Sequence, residues 1–222
     1  MNKIVNAVFI IYVILTFWVW YMFMTPMNLV YKPFDDMVYK TGDMILFHAY
    51  NNVNSVMLAS YWTHVGIVYK EPGDINAKPL LFEAASVIRM KNCADRNKHG
   101  IIVTDLKTRL EKYPGVIACK FLKDPVSYEI NKSFVELINY ALQNMSYNDN
   151  IVHNWSQKML GQKYNNMTNC AELSILCLIK LGLLPYEYVD KKIYHHLKHI
   201  TKIKKLHNNE YYDPIELTFD YF

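Results

Sequence analysis

Two residues of this 222-residue chain stand where acyl-transfer chemistry would place them. Cys170 lies in Asn169-Cys170-Ala171-Glu172-Leu173, where a polar loop gives way to an apolar, helix-patterned run. A thiol in the first turn of a helix lies beside free backbone N–H groups and the positive end of the dipole. Both favour a thiolate, and the N–H groups can hold an oxyanion. His64 opens the β-branched run Val65-Gly66-Ile67-Val68 and supplies an imidazole base. A thiolate nucleophile needs both groups. Each also has a structural reading by itself, since free cysteines are commonly buried and a histidine at a strand start can be an edge residue. Cys177, set among Leu and Ile, reads as core. His48 is a weaker rival base, and His195, His196, His199 and His207 fall in a lysine-rich tail.

A third residue belongs with these two. Glu83 sits in Leu80-Leu81-Phe82-Glu83-Ala84, on the strand that follows the one carrying His64. A carboxylate inside an apolar strand is costly unless it is paired. Adjacent antiparallel strands bring it within reach of His64, where it would hold the imidazole tautomer. Glu172 points off the Cys170 face of its helix and reads as a structural hydrogen bond or salt bridge.

The elements that must position these residues follow from periodicity. Strands are expected over Asp43–His48, Val65–Lys70, Pro79–Ala84, Ile101–Thr104 and Val116–Leu122, with further extended chain over Ser86–Met90. Short helices are expected over Val53–Tyr61 and from Leu106 to Lys112. Apolar residues at helical spacing predict longer helices over Lys132–Met145, Cys170–Leu181 and Tyr188–Ile200. Strands come first and helices after, with no internal repeat, so the fold class is α+β.

Composition narrows the class. A hydrophobic fraction of 52% can build a full core, and a net charge of +4 with scattered lysines gives no argument for nucleic-acid binding. Cys93, Cys119, Cys170 and Cys177 show no metal-ligand spacing and no disulfide framework, which weakly favours a reducing compartment. The run from Ile4 to Met24 carries no charge and ends in Trp18, Trp20 and Tyr21. Its length matches the roughly 20 residues of a membrane-spanning helix, and no small-residue cleavage pattern follows it. The expectation is therefore an uncleaved single-pass anchor over residues 1–24, a linker over 25–40 and a folded domain over 41–222. Its sidedness stays open, with sequons at Asn131, Asn144, Asn154 and Asn166 as weak evidence for a lumenal domain.

Four segments occur in a telling order: Gly42-Asp43-Met44-Ile45, Thr63-His64-Val65-Gly66-Ile67-Val68, Phe82-Glu83-Ala84 and Cys170-Ala171-Glu172-Leu173. Together they resemble the circularly permuted NlpC-like papain-fold cysteine hydrolase superfamily, in its YiiX/YaeF-like branch with poxviral relatives. The resemblance runs over roughly residues 40–220, and Asp213-Pro214-Ile215-Glu216-Leu217 resembles its closing segment. The permutation accounts for a histidine that precedes the cysteine. Ala171 departs from the commoner serine.

The resemblance implies a circularly permuted papain-like fold, an antiparallel sheet packed on helices, here with an N-terminal transmembrane helix. It also implies Cys170 as nucleophile, His64 as general base and Glu83 as orienting residue, with no cofactor and no metal. The expected function is a membrane-anchored thiol hydrolase or acyltransferase. It would cleave an amide or ester bond of a lipid or peptide substrate beside a bilayer. The alternative is a catalytically inactive papain-fold structural or interaction protein of a membrane or virion.

Overall fold

Seven extended runs pair into one sheet. The protein is described from a computed structural model over residues 3–24, 29–49, 60–74, 76–85, 100–147, 167–188 and 197–219. The strands are β1 (Val30–Pro33), β2 (Met44–Ala49), β3 (His64–Tyr69), β4 (Leu80–Ala85), β5 (Gly100–Asp105) and β6 (Gly115–Lys120). They continue with β7 (Ser146–Tyr147), β8 (Met167–Thr168), β9 (Lys205–Leu206), β10 (Asn209–Glu210) and β11 (Ile215–Thr218). The large sheet has the order β1-β11-β6-β2-β3-β4-β5 and is antiparallel except where β1 runs parallel to β11. β1 lies within the stretch read as a linker and forms a sheet edge.

The helices are α1 (Lys3–Met24), α2 (Leu106–Glu111), α3 (Tyr128–Asn144), α4 (Cys170–Lys180) and α5 (Leu197–Ile200). α3 begins a turn before the expected Lys132 because Ser127 caps it, its Oγ accepting from the Ile130 N–H at 3.3 Å. The helix expected over Val53–Tyr61, except its last two residues, and the extended run over Ser86–Met90 lie outside the described residues. Of the helix expected over Tyr188–Ile200, α5 is described.

Strand side chains alternate between two layers. Met44, Leu46, Val65, Ile67 and Phe82 pack with Phe134 and Ile138 of α3 and with Leu173 and Leu178 of α4. Ile45, Phe47, Val68, Leu81 and Ile117 face the other way, onto Leu106 and Leu110 of α2 and the rings of Phe34 and Tyr39. The result is a mixed α+β fold.

One expectation is overturned. The apolar N-terminal run is helical as α1, but no helix among the described residues is long and apolar enough to cross a membrane. The transmembrane helix, and with it the single-pass localisation, is therefore not supported.

The start of β2 depends on a buried carboxylate. Gly42 has φ of +96°, and a Cβ there would lie 2.6 Å from Leu122 Cδ1, so the turn requires glycine. The turn aims Asp43 inward, where it is fully buried. Its oxygens accept from the Lys40 N–H at 2.7 Å and the Leu122 N–H at 2.8 Å, clasping the start of β2 to the chain just after β6. Burial raises this carboxyl from 3.8 to about 7, and the two N–H donors only partly oppose the rise. The native state thus holds a proton that the unfolded chain releases above 3.8, so this residue's contribution to stability declines as pH rises toward 7. Urea unfolding between pH 4 and 7.5 should show that decline in the wild type and a flatter curve in Asp43→Asn. Parallel curves would contradict it.

Candidate active site

The three residues singled out in the sequence lie on three neighbouring elements. His64 is the first residue of β3, Glu83 is in β4 and Cys170 is the first residue of α4. In the register of β3 and β4, Glu83 stands opposite Gly66, which makes His64 its diagonal neighbour on the same face. His64 Nε2–H donates to Glu83 Oε2 at 2.6 Å. Gly66 gives that pairing room. A Cβ at position 66 would sit 2.9 Å from Leu81 Cδ1 and 3.2 Å from Glu83 Cβ.

With Nε2 committed to Glu83, Nδ1 is the ring nitrogen left for Cys170, whose sulfur lies near enough to act on the imidazole. Burial of His64 works against its charged form. The Cys170 sulfur, by charge and hydrogen bond, and then Glu83, by both, more than offset it and raise the imidazole from 6.5 to about 9. The Phe47 ring lies 5.2 Å from the His64 ring, centroid to centroid, and walls one side of it.

α4 begins with a capping box. Asn169 Oδ1 accepts from the N–H groups of Ala171 at 2.9 Å and Glu172 at 3.0 Å, while Glu172 Oε2 accepts from the Asn169 N–H at 3.2 Å. Glu172 therefore makes a structural hydrogen bond, and Leu173 N–H returns to the Asn169 carbonyl at 2.9 Å. This narrows the expectation of several free N–H groups at the helix start. No described residue accepts from the N–H of Cys170 itself.

Of the free cysteines described, Cys119 and Cys177 are buried and their thiols are pushed up by that burial, whereas Cys170 is half-buried. His48, the rival base, is engaged elsewhere, with Nδ1 2.6 Å from the Tyr61 carbonyl and its ring stacked on that of Tyr61. His195 and His196 lie outside the described residues.

Sequence reasoning missed Arg109. Its Nε and one terminal nitrogen donate to the two oxygens of Glu83, at 2.6 and 3.2 Å, from the α2 side of the sheet. Glu83 is thus gripped by two cations in a site without solvent exposure. Burial would raise this carboxyl, but the Arg109 charge first, then His64, hold it at about 2. The signal was present in the spacing, since Arg109 shares the i, i+3, i+4 face of α2 with Leu106 and Leu110.

No protein-family model matches the chain, and no curated protein matches it. Among solved structures it is similar to the metalloprotein yiiX from Escherichia coli O157:H7, at 19% identity and a TM-score of 0.42. The similarity covers 63% of this chain and 64% of that one. The chain therefore spans less than two thirds of that structure, and at this level the likeness assigns it no activity.

Replacing Glu83 by Gln leaves the Arg109 guanidinium buried without its counter-charge. The expected cost is about 3–5 kcal/mol at neutral pH, measured by urea unfolding. The sign of the pH effect follows from a lowered carboxyl. Its stabilisation is present above 4.5 and is lost as pH falls toward 2, so Glu83→Gln should lack that acid-side decline.

Proposed function

We propose that the protein is a thiol hydrolase or acyltransferase that cleaves an amide or ester bond through an acyl-enzyme on Cys170. The observation that carries this reading is the pairing of Cys170 with an imidazole whose far nitrogen is bound to a buried, ionised carboxylate. Nucleophile, base and orienting group then stand in sequence, the arrangement that thiol activation requires. The order of segments and their resemblance to permuted papain-like enzymes support the same reading, with Glu83 as the orienting residue.

In the first step the sulfur lone pair of Cys170 forms a bond to the carbonyl carbon, and the carbonyl π electrons move to oxygen. The Cys170 N–H faces the resulting oxyanion. As the oxyanion collapses, the bond to the leaving nitrogen or oxygen breaks. The His64 Nδ1 proton passes to that atom and leaves a thioester and a neutral imidazole. Water, or an acceptor hydroxyl or amine, then attacks the thioester while Nδ1 takes its proton. Collapse of the second oxyanion returns the sulfur with its electron pair. Glu83 keeps its hydrogen bond to Nε2 throughout and so fixes which nitrogen exchanges protons. The substrate class follows from this chemistry as an acyl group held in amide or ester linkage, in a peptide or a lipid.

The placement of His64 beside Cys170, with its far nitrogen held by Glu83, weighs against an inert scaffold, which has no need to align a base with a thiol. An electrophilic thiol probe at neutral pH should label the wild type at Cys170, shown by peptide mass. His64→Ala should label at least tenfold more slowly, within the range a positioned base contributes. Equal rates for the two proteins would reject the reading. In an independent measurement, His64 titrated by NMR should have its midpoint near 9 in the wild type and lower in Cys170→Ala, because the sulfur is the largest cause of the rise.

A further inference from the structure

Arg109 satisfies little besides Glu83. It is almost completely buried, and its described hydrogen bonds all end on that carboxylate. Its remaining terminal nitrogen, Nη1, has no hydrogen-bond partner among the described residues. A buried donor left unpaired is costly, and native structures keep few of them. The guanidinium is held against aromatic faces instead, 4.8 Å from the Phe47 ring centroid and 5.5 Å from that of Tyr113. A purely structural arginine in this layer would find carbonyl oxygens for its whole fork. This one gives up a hydrogen bond and keeps its charge on Glu83.

The reaction proposed above explains why a permanent charge matters there. His64 is positive at the start and neutral once it has given its proton away. A buried carboxylate whose only cation came and went would take up a proton whenever the cation left. It would then stop accepting from Nε2, and the imidazole would be free to change tautomer. Arginine does not lose its proton in proteins, and its planar fork matches a carboxylate with two bonds. The Arg109 fork spans both Glu83 oxygens, and His64 shares Oε2 with it. We propose that Arg109 is the positioning residue of this site, holding Glu83 ionised and oriented through the part of the cycle in which His64 is neutral. This rests on the catalytic reading of Cys170 and His64. It adds a fourth member, which touches neither substrate nor reacting atoms and acts only through Glu83.

The two readings can be separated by the pH dependence of Cys170 alkylation by iodoacetamide, followed by peptide mass on the full chain, with urea unfolding as the control for folding. Wild type should show a rate that depends on His64. If His64→Ala alkylates as fast as wild type at every pH, the catalytic reading fails and this inference falls with it. Given that dependence, Arg109→Met should shift the acid limb of the profile upward by about one pH unit or more, a roughly tenfold slower reaction on that limb. Arg109→Lys, which keeps the charge, should restore most of the shift.

Arg109→Met strands a buried carboxylate, and the variant is open to misfolding. The double variant Glu83→Gln/Arg109→Met removes both charges and keeps the test decisive. It should alkylate no more slowly than Glu83→Gln alone, because Arg109 then has no carboxylate left to hold. A folded Arg109→Met with the wild-type acid limb overturns the proposal. So does a double variant that is several-fold slower than Glu83→Gln.

Discussion

A carboxylate with no solvent exposure, Glu83, is held between an arginine on one side and a histidine on the other. An ion of this size transferred out of water loses several kcal/mol of solvation even after relaxation, and only close, well-directed partners offset that loss. The neighbouring structure is arranged to supply them. Gly66 stands opposite Glu83 so that the two strands approach without a clash. α2 follows directly on β5, capped by Asp105 Oδ1 accepting from Thr108 N–H at 2.8 Å, and this brings Arg109 down onto the sheet. Phe47 lies between guanidinium and imidazole and packs against both.

The site crosses the sheet. α4 and Cys170 belong to the layer that contains α3, whereas Arg109 belongs to the opposite layer with α2. Only a residue at a strand end can be reached from both sides, and His64 is the first residue of β3. The path Cys170–His64–Glu83–Arg109 therefore runs from a half-buried thiol to a fully enclosed cation. Charge is most exposed where a substrate would arrive and most fixed where none can reach. The capping box serves the same division of labour. By taking the N–H groups of Ala171 and Glu172, Asn169 fixes the first turn of α4, which carries Cys170.

Much of this was readable from residue types and order. Cys170, His64 and Glu83 stood out by local context, a thiol at a helix start and two ionisable groups on apolar strands. The strands β2, β3, β4 and β6 and the helices α3 and α4 followed from period alone, to within a few residues. Arg109 escaped because its cost is not local. On a short helix of alternating leucines and charges, an arginine reads as solvated until the sheet beneath it is shown to hold Glu83. The free N–H groups at Cys170 were overcounted for a related reason. Asn169 was read as part of a polar loop, and its role as a cap depends on side-chain geometry. The apolar run of α1 was the clearest pattern in the chain, yet hydropathy counted along a sequence does not establish a span.

Among the described residues, Asp43 and Glu83 are acidic side chains buried at the sheet, and they are driven in opposite directions. Asp43 meets two backbone N–H groups and is raised to about 7, because neutral dipoles do not replace the lost hydration of a charge. Glu83 meets two cations and is lowered to about 2. The same chemical group thus serves as a pH-sensitive clasp at one end of β2 and as a permanent charge beside His64. Burial is common to both, and the partners alone decide the outcome. Only a carboxylate that stays ionised across the whole neutral range can keep one tautomer of a proton-exchanging imidazole in place. Of the two, that condition is met by Glu83, which also is the one that touches His64.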